Sequence, residues 1–368
     1  MRSRTAPVAA LTVITAPFLC AATGDSAPAA YAVFFHLTIG NVLLGFLEGA
    51  LLAALFKRRI FTGVLIMTLA NVAVSFIGGA DMLWFAQAAV PRILGGAPLY
   101  RAGAALAVSW MVGLAAAILI ATPFCRWMLR GTVDAVTRWK GALLAAVISQ
   151  AVGFAVIVPF HLGAGTLSVF TAVKTDPKLS FLTAPSLRYR IYFIHTETGE
   201  VHRVRPDGTS LERVAAATGL LRSLALSQST TSAGCDLLGI PARPVDAEPI
   251  VVVRRVCGSV PRDKPVGAAA ASTDGTGDAR DMRTTPSGVS VSTSGQPHEG
   301  LRVSLNGDVY HVGLEAFPLS WEVLHPTIID GDVVIFQFGG HIAALEPRTR
   351  RIGMVFARGR SPVVVPDR

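Results

Sequence analysis

Charge is scarce in this sequence. Asp, Glu, Lys and Arg make up 15% of its 368 residues, against about 25% in ordinary soluble proteins. The shortage is concentrated at the front. Residues 1–162 hold four acidic side chains, Asp25, Glu48, Asp81 and Asp134, against 11 Lys and Arg, a net of +7. The remaining 206 residues are nearly balanced, at +2. The second half is thus composed like a soluble domain and is large enough to bury its own core. Local catalytic motifs are also lacking: no phosphate-cradling Gly-Lys-Ser/Thr loop, dinucleotide fingerprint, C-x-x-C pair, H-E-x-x-H or G-x-S-x-G is present. A site can still assemble from distant residues, but no catalytic residue, metal or cofactor is assigned. The surplus positive charge lies beside apolar segments and forms no stripe on the balanced half, which argues against nucleic acid as a partner.

What the first half has instead is long apolar runs. Residues 6–22 follow Arg2 and Arg4 and lead to Ala27-Pro28-Ala29. A basic start, a short apolar stretch and small residues predict a signal peptide over 1–29, with an uncleaved first span as the alternative. Four longer runs follow at 33–56, 60–79, 103–124 and 141–161. Each reaches the roughly 20 residues needed to cross about 30 Å of hydrocarbon. Lipid-exposed backbone must satisfy its own hydrogen bonds, so each run is expected to be a helix. The expectation is a four-helix transmembrane domain over 30–162, with the lipid bilayer as its surroundings.

Base placement predicts the orientation. If the spans alternate, Arg2, Arg4, Lys57, Arg58, Arg59, Arg126, Arg130, Arg138 and Lys140 share one side, and only Arg92 and Arg101 fall on the other. The side richer in bases faces the cytoplasm. The C-terminal half is therefore expected outside a plasma (inner) membrane, as a periplasmic or cell-envelope domain. The apolar loop 81–101, with Trp84, Phe85 and Tyr100, is expected to lie on the outer interface.

Polar groups inside the spans are costly and need explanation. Glu48 sits roughly 12 Å inside the end of its run, too deep for its carboxyl to reach water, so it must be protonated or paired. Asn41, Gly45, Glu48 and Leu52 share a helix face by their spacing, and Gly45 with Gly49 forms a GxxxG pair that admits a close neighbour. Thr68, Asn71, Ser75 and Gly78 form a similar stripe on the next run, and Ser149 and Gln150 sit midway along the last. One reading is a bundle glued by hydrogen bonds among Glu48, Asn71 and Gln150, open to homo-oligomerisation. The other is a proton or ion path with Glu48 as its titrating group. His36 and His161 lie near the outer ends of their runs, without an evident third metal ligand.

From about residue 187 the pattern alternates with period two. Strands are predicted at 190–194 and 201–204, at 301–305 and 309–312 around Asn306-Gly307, and at 333–338, 341–345 and 351–356. Further strands are expected at 220–226, 250–256 and 363–365. This makes 187–368 an all-β domain joined by a linker over 163–186. Residues 261–300, rich in Gly, Ser, Thr, Ala and Asp, read as a flexible insertion between strands.

The run 191–211, with its strand, Thr-Gly turn, second strand and Asp-Gly-Thr-Ser-Leu ending, resembles one repeat of the periplasmic Tol-type β-propellers, and 332–352 is similar to the inner hairpin of such a blade. The resemblance implies an incomplete β-propeller carrying a binding surface and no catalytic residues; a β-sandwich is the alternative. Cys235 and Cys257 would lie in an oxidising compartment, as a disulfide or as two buried thiols. Three functional expectations follow: an anchored envelope protein whose β domain binds a protein, glycan or cell-wall ligand; a transport or channel component using Glu48; and an outer-domain hydrolase.

Overall fold

Four stretches of the chain have their polarity turned inside out. On the helix His36–Leu55 (α1), Asn41, Gly45, Glu48 and Gly49 are buried, while Ile39, Val42, Leu43, Phe46 and Leu47 are exposed. A water-soluble helix does the reverse. Burial of polar and small residues behind an apolar outer surface is the arrangement a hydrocarbon environment favours. Ile60–Gly78 (α2), Pro98–Met128 (α3) and Thr137–Ala164 (α4) are likewise long and apolar enough to cross a membrane.

The computed structural model describes residues 35–367 apart from 80–83, 86–88, 96–97, 131–134, 217–219, 229–233, 243–246, 258–282 and 294–299. The expected signal peptide over 1–29 and most of the expected insertion 261–300 lie outside the described residues, as does part of the loop 81–101. The chain divides into two compact units, one containing the four long helices except the first three residues of the third, and the other nearly all the strands.

In the helical unit, α1 and α2 form a hairpin through Phe56–Arg59, where Lys57 takes a positive φ of 52°. The two backbones touch: a Cβ on Gly49 would fall 2.5 Å from the Val64 backbone, and one on Gly63 would fall 2.5 Å from the Gly49 carbonyl. The third helix is longer than the expected run 103–124, because the helix continues beyond the apolar stretch at both ends. Pro98 opens it at a position that needs no N–H. A core of Leu52, Met67, Ala70, Ala121, Cys125, Ala142 and Ala146 fills the space between the helices.

The strand-rich unit begins earlier than the expected boundary at 187. Within the expected linker, Lys174–Thr175 (β1) adds in parallel to the edge of a sheet formed far along the chain. The first sheet contains Tyr189–His195 (β2), Val201–Val204 (β3) and Glu212–Ala215 (β4). Leu221–Gln228 (β5), Cys235–Pro241 (β6) and Ile250–Cys257 (β7) make the second. Arg283–Thr284 (β8), Val289–Thr293 (β9), Leu301–Leu305 (β10) and Asp308–Val312 (β11) make the third. After the ribbon Leu314–Ala316 (β12) and Leu319–Trp321 (β13), the fourth sheet runs through Val323–Ile329 (β14), Val333–Phe338 (β15), His341–Glu346 (β16) and Arg351–Phe356 (β17), with β1 at its edge. The last strand, Gly359–Pro366 (β18), returns to pair antiparallel with β2, Pro366 opposite Tyr189 and Val364 opposite Ile191.

Two local sequences explain much of this. Asn306 and Gly307 take φ of 52° and 88° between the paired Leu305 and Asp308, which is the two-residue hairpin turn their residue types favour. Strand β9 corrects the insertion expected over 261–300. Val289-Ser-Val-Ser-Thr alternates with buried Val289 and Val291 and pairs with β10; the low apolar content of the whole stretch hid this short period-two signal.

The first sheet is buried on both faces. Ile191, Phe193, Val204 and Val364 pack with Ile335, Ile342 and Val355 of the fourth sheet. The alternate residues Tyr192, Ile194, Val201 and Val363 pack with Leu224, Leu237 and Val256 of the second. Where the β18 register shifts near Ser361, that residue joins three sheets: its N–H donates to Gln337 Oε1 at 2.7 Å, and its hydroxyl accepts from the Leu224 N–H at 2.9 Å.

Candidate functional site within the helical bundle

A cavity of about 100 Å³ opens among the helices, lined by His36, Asn41 and Glu48 of α1, Asn71 and Ser75 of α2, Trp110 and Gly113 of α3, and Gln150, Gly153, Phe154 and His161 of α4. The residues singled out in the sequence, Asn41, Glu48, Asn71 and Gln150, all meet here, three helices contributing them. The Asn71 amide donates to Glu48 Oε2 at 3.2 Å. Gln150 reaches Asn71 Oδ1 at 3.5 Å, a long contact. One turn along, Ser75 donates to Asn41 Oδ1 at 2.9 Å, and Asn41 donates to its own helix at the Leu37 carbonyl. Ser149, named beside Gln150 in the sequence, bonds to the Ala146 carbonyl of its own helix.

Glu48 is 1% exposed, and its second oxygen, Oε1, has no hydrogen-bond partner. That oxygen lies in a notch left by Gly153, where a Cβ would sit 2.3 Å from it. Trp110 Nε1 is also buried without a partner. Glu48 and Trp110, which both line the cavity, thus each carry a buried polar atom without a hydrogen-bond partner among the described residues. Such groups cost about 1–3 kcal/mol each when left unpaired, so they mark a place where a further polar group would be favoured.

At another part of the same wall, His36 Nδ1 and His161 Nε2 stand 3.2 Å apart, so one ring nitrogen donates to the other. Among the described residues no group of three or more His, Cys, Asp or Glu is arranged to hold a metal. Gly45 and Gly49 face α2, where a Cβ on Gly45 would fall 2.6 Å from Thr68 Cα. Their close-packing capacity is used inside the chain, so an oligomer formed through the bundle needs another face.

Sequence reasoning missed Trp110 and Gly153. A Trp midway along an apolar span was the available signal, since Trp favours membrane interfaces. Gly153 follows Gln150 by three residues and so shares its face.

In the strand-rich unit, Cys235 and Cys257 are register partners across β6 and β7, with Cα atoms 5.2 Å apart. His341 Nδ1 accepts the Arg358 N–H at 3.1 Å, and burial, assisted by the Arg358 charge, pushes its pKa down to about 4. On the first sheet, Glu200 binds both Arg213 and His202. Desolvation and the neighbouring His202 lower the pKa of His195.

Fold and site together define a chain with four helices able to span a bilayer, a polar cavity between them, and a strand-rich unit of several sheets. Comparison with known proteins yields no match among family models, curated proteins or solved structures.

Proposed function

We propose that this chain is an integral membrane protein of the cell envelope whose helical bundle handles a proton or small cation at Glu48. The observation that carries the reading is the unpartnered Oε1 of a carboxyl that is 1% exposed, set in the wall of a cavity among apolar helices. Ionisable groups at such depth are expensive and are commonly retained for ion or proton passage. A purely structural carboxyl would be expected to have both oxygens matched. The asymmetry of flanking bases supports an orientation with the Phe56–Arg59 turn in the cytoplasm and the strand-rich unit outside the plasma membrane.

The test is ion flux in proteoliposomes holding the full chain and an internal pH-sensitive dye. Glu48→Gln is expected to abolish flux while inserting normally. Wild-type flux in that variant, or none in the wild-type protein under either polarity of gradient, overturns the reading.

A second reading concerns the strand-rich unit: an incomplete β-propeller that binds an envelope protein, glycan or cell-wall ligand. Successive antiparallel meanders support it, as does a first sheet completed by the last strand. Burial on both faces of that sheet favours radially stacked blades over a sandwich, in which each sheet has one inner face. Within this reading Cys235 and Cys257 form a disulfide. Affinity capture on the full chain from envelope extract checks it, and recovery of no specific partner counts against it.

A further inference from the structure

The proposed function leaves open whether the ion at Glu48 is a proton or a metal cation, and where it enters the cavity. We propose that it is the proton, and that the hydrogen-bonded pair His36–His161 is a second proton-holding station that loads Glu48 through water in the shared cavity. This rests on the reading of Glu48 as a working group and adds the identity of the ion and a second site.

Three observations carry it. The first is the histidine contact. His36 Nδ1 and His161 Nε2 lie 3.2 Å apart, so one ring nitrogen donates its hydrogen and the other accepts. The neutral pair can take one further proton on the free ring nitrogen of the donor and keep this bond. A second would have to go on the accepting nitrogen, setting N–H against N–H. The pair is thus a store for one proton. Of the residues lining the cavity, His36, Glu48 and His161 are the ones that titrate. The other elements at this wall bring no ionisable side chain: α2 presents Asn71 and Ser75, α3 Trp110, and the segment Ala316–Leu319, which groups with the helices, Phe317.

The second is the state of the Glu48 carboxyl. Oε1 is shut off from solvent and Oε2 accepts from Asn71. A metal cation is held by several ligand atoms at once, and among the described residues no cluster of His, Cys, Asp or Glu offers them. A proton needs no such shell. It adds almost no volume, and by neutralising the carboxyl it removes the cost of a charge at this depth.

The third is continuity. His36 and Glu48 are twelve residues apart on α1, roughly 18 Å along a helix axis, too far for direct transfer. The cavity bridges them. Its wall takes residues from successive turns of α1 between His36 and Glu48, through Asn41 and Leu44, and likewise of α4 between Gln150 and His161. Its volume of about 100 Å³ gives room for several water molecules. Polar groups along it, the Ser75 hydroxyl and the unmatched Trp110 N–H among them, can hold such waters. The charged pair gives one proton to the first water, each water passes one on, and the last protonates the Glu48 carboxylate. The pair is then neutral again and every water is restored.

The experiment uses the full chain in proteoliposomes with an internal pH-sensitive dye, a pH gradient, and potassium with valinomycin to carry compensating charge. Proton flux should be unchanged when choline replaces sodium throughout. His36→Gln and His161→Gln should each lower flux at least tenfold, and the double variant no further, since the pair acts as a unit. Gln keeps a hydrogen-bonding side chain but cannot carry the proton, so a merely structural link between α1 and α4 would leave flux near wild type. A second readout is nitrogen-15 NMR of histidine-labelled protein in bilayers. It should show two imidazoles, missing from the respective variants, that take up one proton between them as external pH falls. Should a Gln variant fail to insert, this titration of the wild-type chain decides.

Flux that requires sodium overturns the proton assignment. Wild-type flux in both Gln variants, or two imidazoles that stay neutral or take up a proton each, overturns the station. In either case, loss of flux in Glu48→Gln leaves the broader reading standing. Flux indifferent to Glu48 removes both.

Discussion

Asn71 donates its side-chain amide to Glu48 Oε2 at 3.2 Å, across a helix pair whose backbones are in contact. The bond joins α1 to α2 and leaves the other carboxyl oxygen in the notch beside Gly153 of α4. Asn71 therefore orients the carboxyl as well as linking the helices.

Replacing Asn71 by Ala should cost the bundle about 0.5–2 kcal/mol, the range for interhelical hydrogen bonds in membranes. The double variant Glu48→Gln, Asn71→Ala should be less destabilised than the sum of the single changes, because the two groups share one interaction. Reversible unfolding in mixed micelles measures this, and strict additivity would show that the pair is not coupled.

Gly49→Leu should disrupt the helical hairpin far more than Leu47→Ala on the exposed face of the same helix. Even the first carbon of a side chain at residue 49 meets the Val64 backbone at 2.5 Å, and two backbones cannot yield as a flexible side chain can. Loss of folded yield and increased protease cleavage of the variant are the expected readouts.

Non-reducing electrophoresis with thiol labelling of the full chain should find Cys235 and Cys257 protected until reductant is added. Their Cα separation of 5.2 Å lies within disulfide reach, and the sequence separation is 22 residues. Loop-closure entropy then assigns the bridge about 3 kcal/mol, so Cys235→Ser with Cys257→Ser should lower the unfolding midpoint of the strand-rich unit. Two reactive thiols in the native protein would contradict the bridge.

Acid should weaken the strand-rich unit partly through His341. Its folded pKa of about 4 lies below the ordinary value of 6.5, so the unfolded chain takes up the proton first. The stabilising difference is fully present above pH ~6.5 and is lost progressively as pH falls towards about 4. Protonation would also remove the acceptor that Nδ1 offers to the Arg358 N–H. His341→Gln should flatten the fall in stability between those limits, and an unchanged slope would assign the acid sensitivity elsewhere.

The four helices long and apolar enough to cross a membrane could be read from hydrophobic run length, because a bilayer imposes one thickness on every crossing. The burial of Glu48, Asn41 and Asn71 on inward faces followed from helical spacing alone. Trp110 was harder, since a lone aromatic in an apolar run carries no periodic signal. Among the strands, β10 and β11 were legible through alternation around an Asn-Gly turn, and β15 and β16 through short apolar runs around Gly-Gly. Strands β6, β13 and β14 were not. Cys235–Pro241 contains a glycine and ends in a proline, and Val323–Ile329 carries a proline with a register shift between Leu324 and Thr327. The return of β18 to β2 was hidden for a different reason: no local pattern reports which distant strand a sequence will join.

That return has a bearing on biosynthesis. When the ribosome has made everything through Phe356, β2 still lacks its neighbour on one side, for Tyr189 waits on Pro366. A nascent or truncated polypeptide ending there would present the bare hydrogen-bonding edge of β2, a template for pairing with other chains. Eight residues translated after every other described strand thus close the first-made strand of this sheet and cover its open edge.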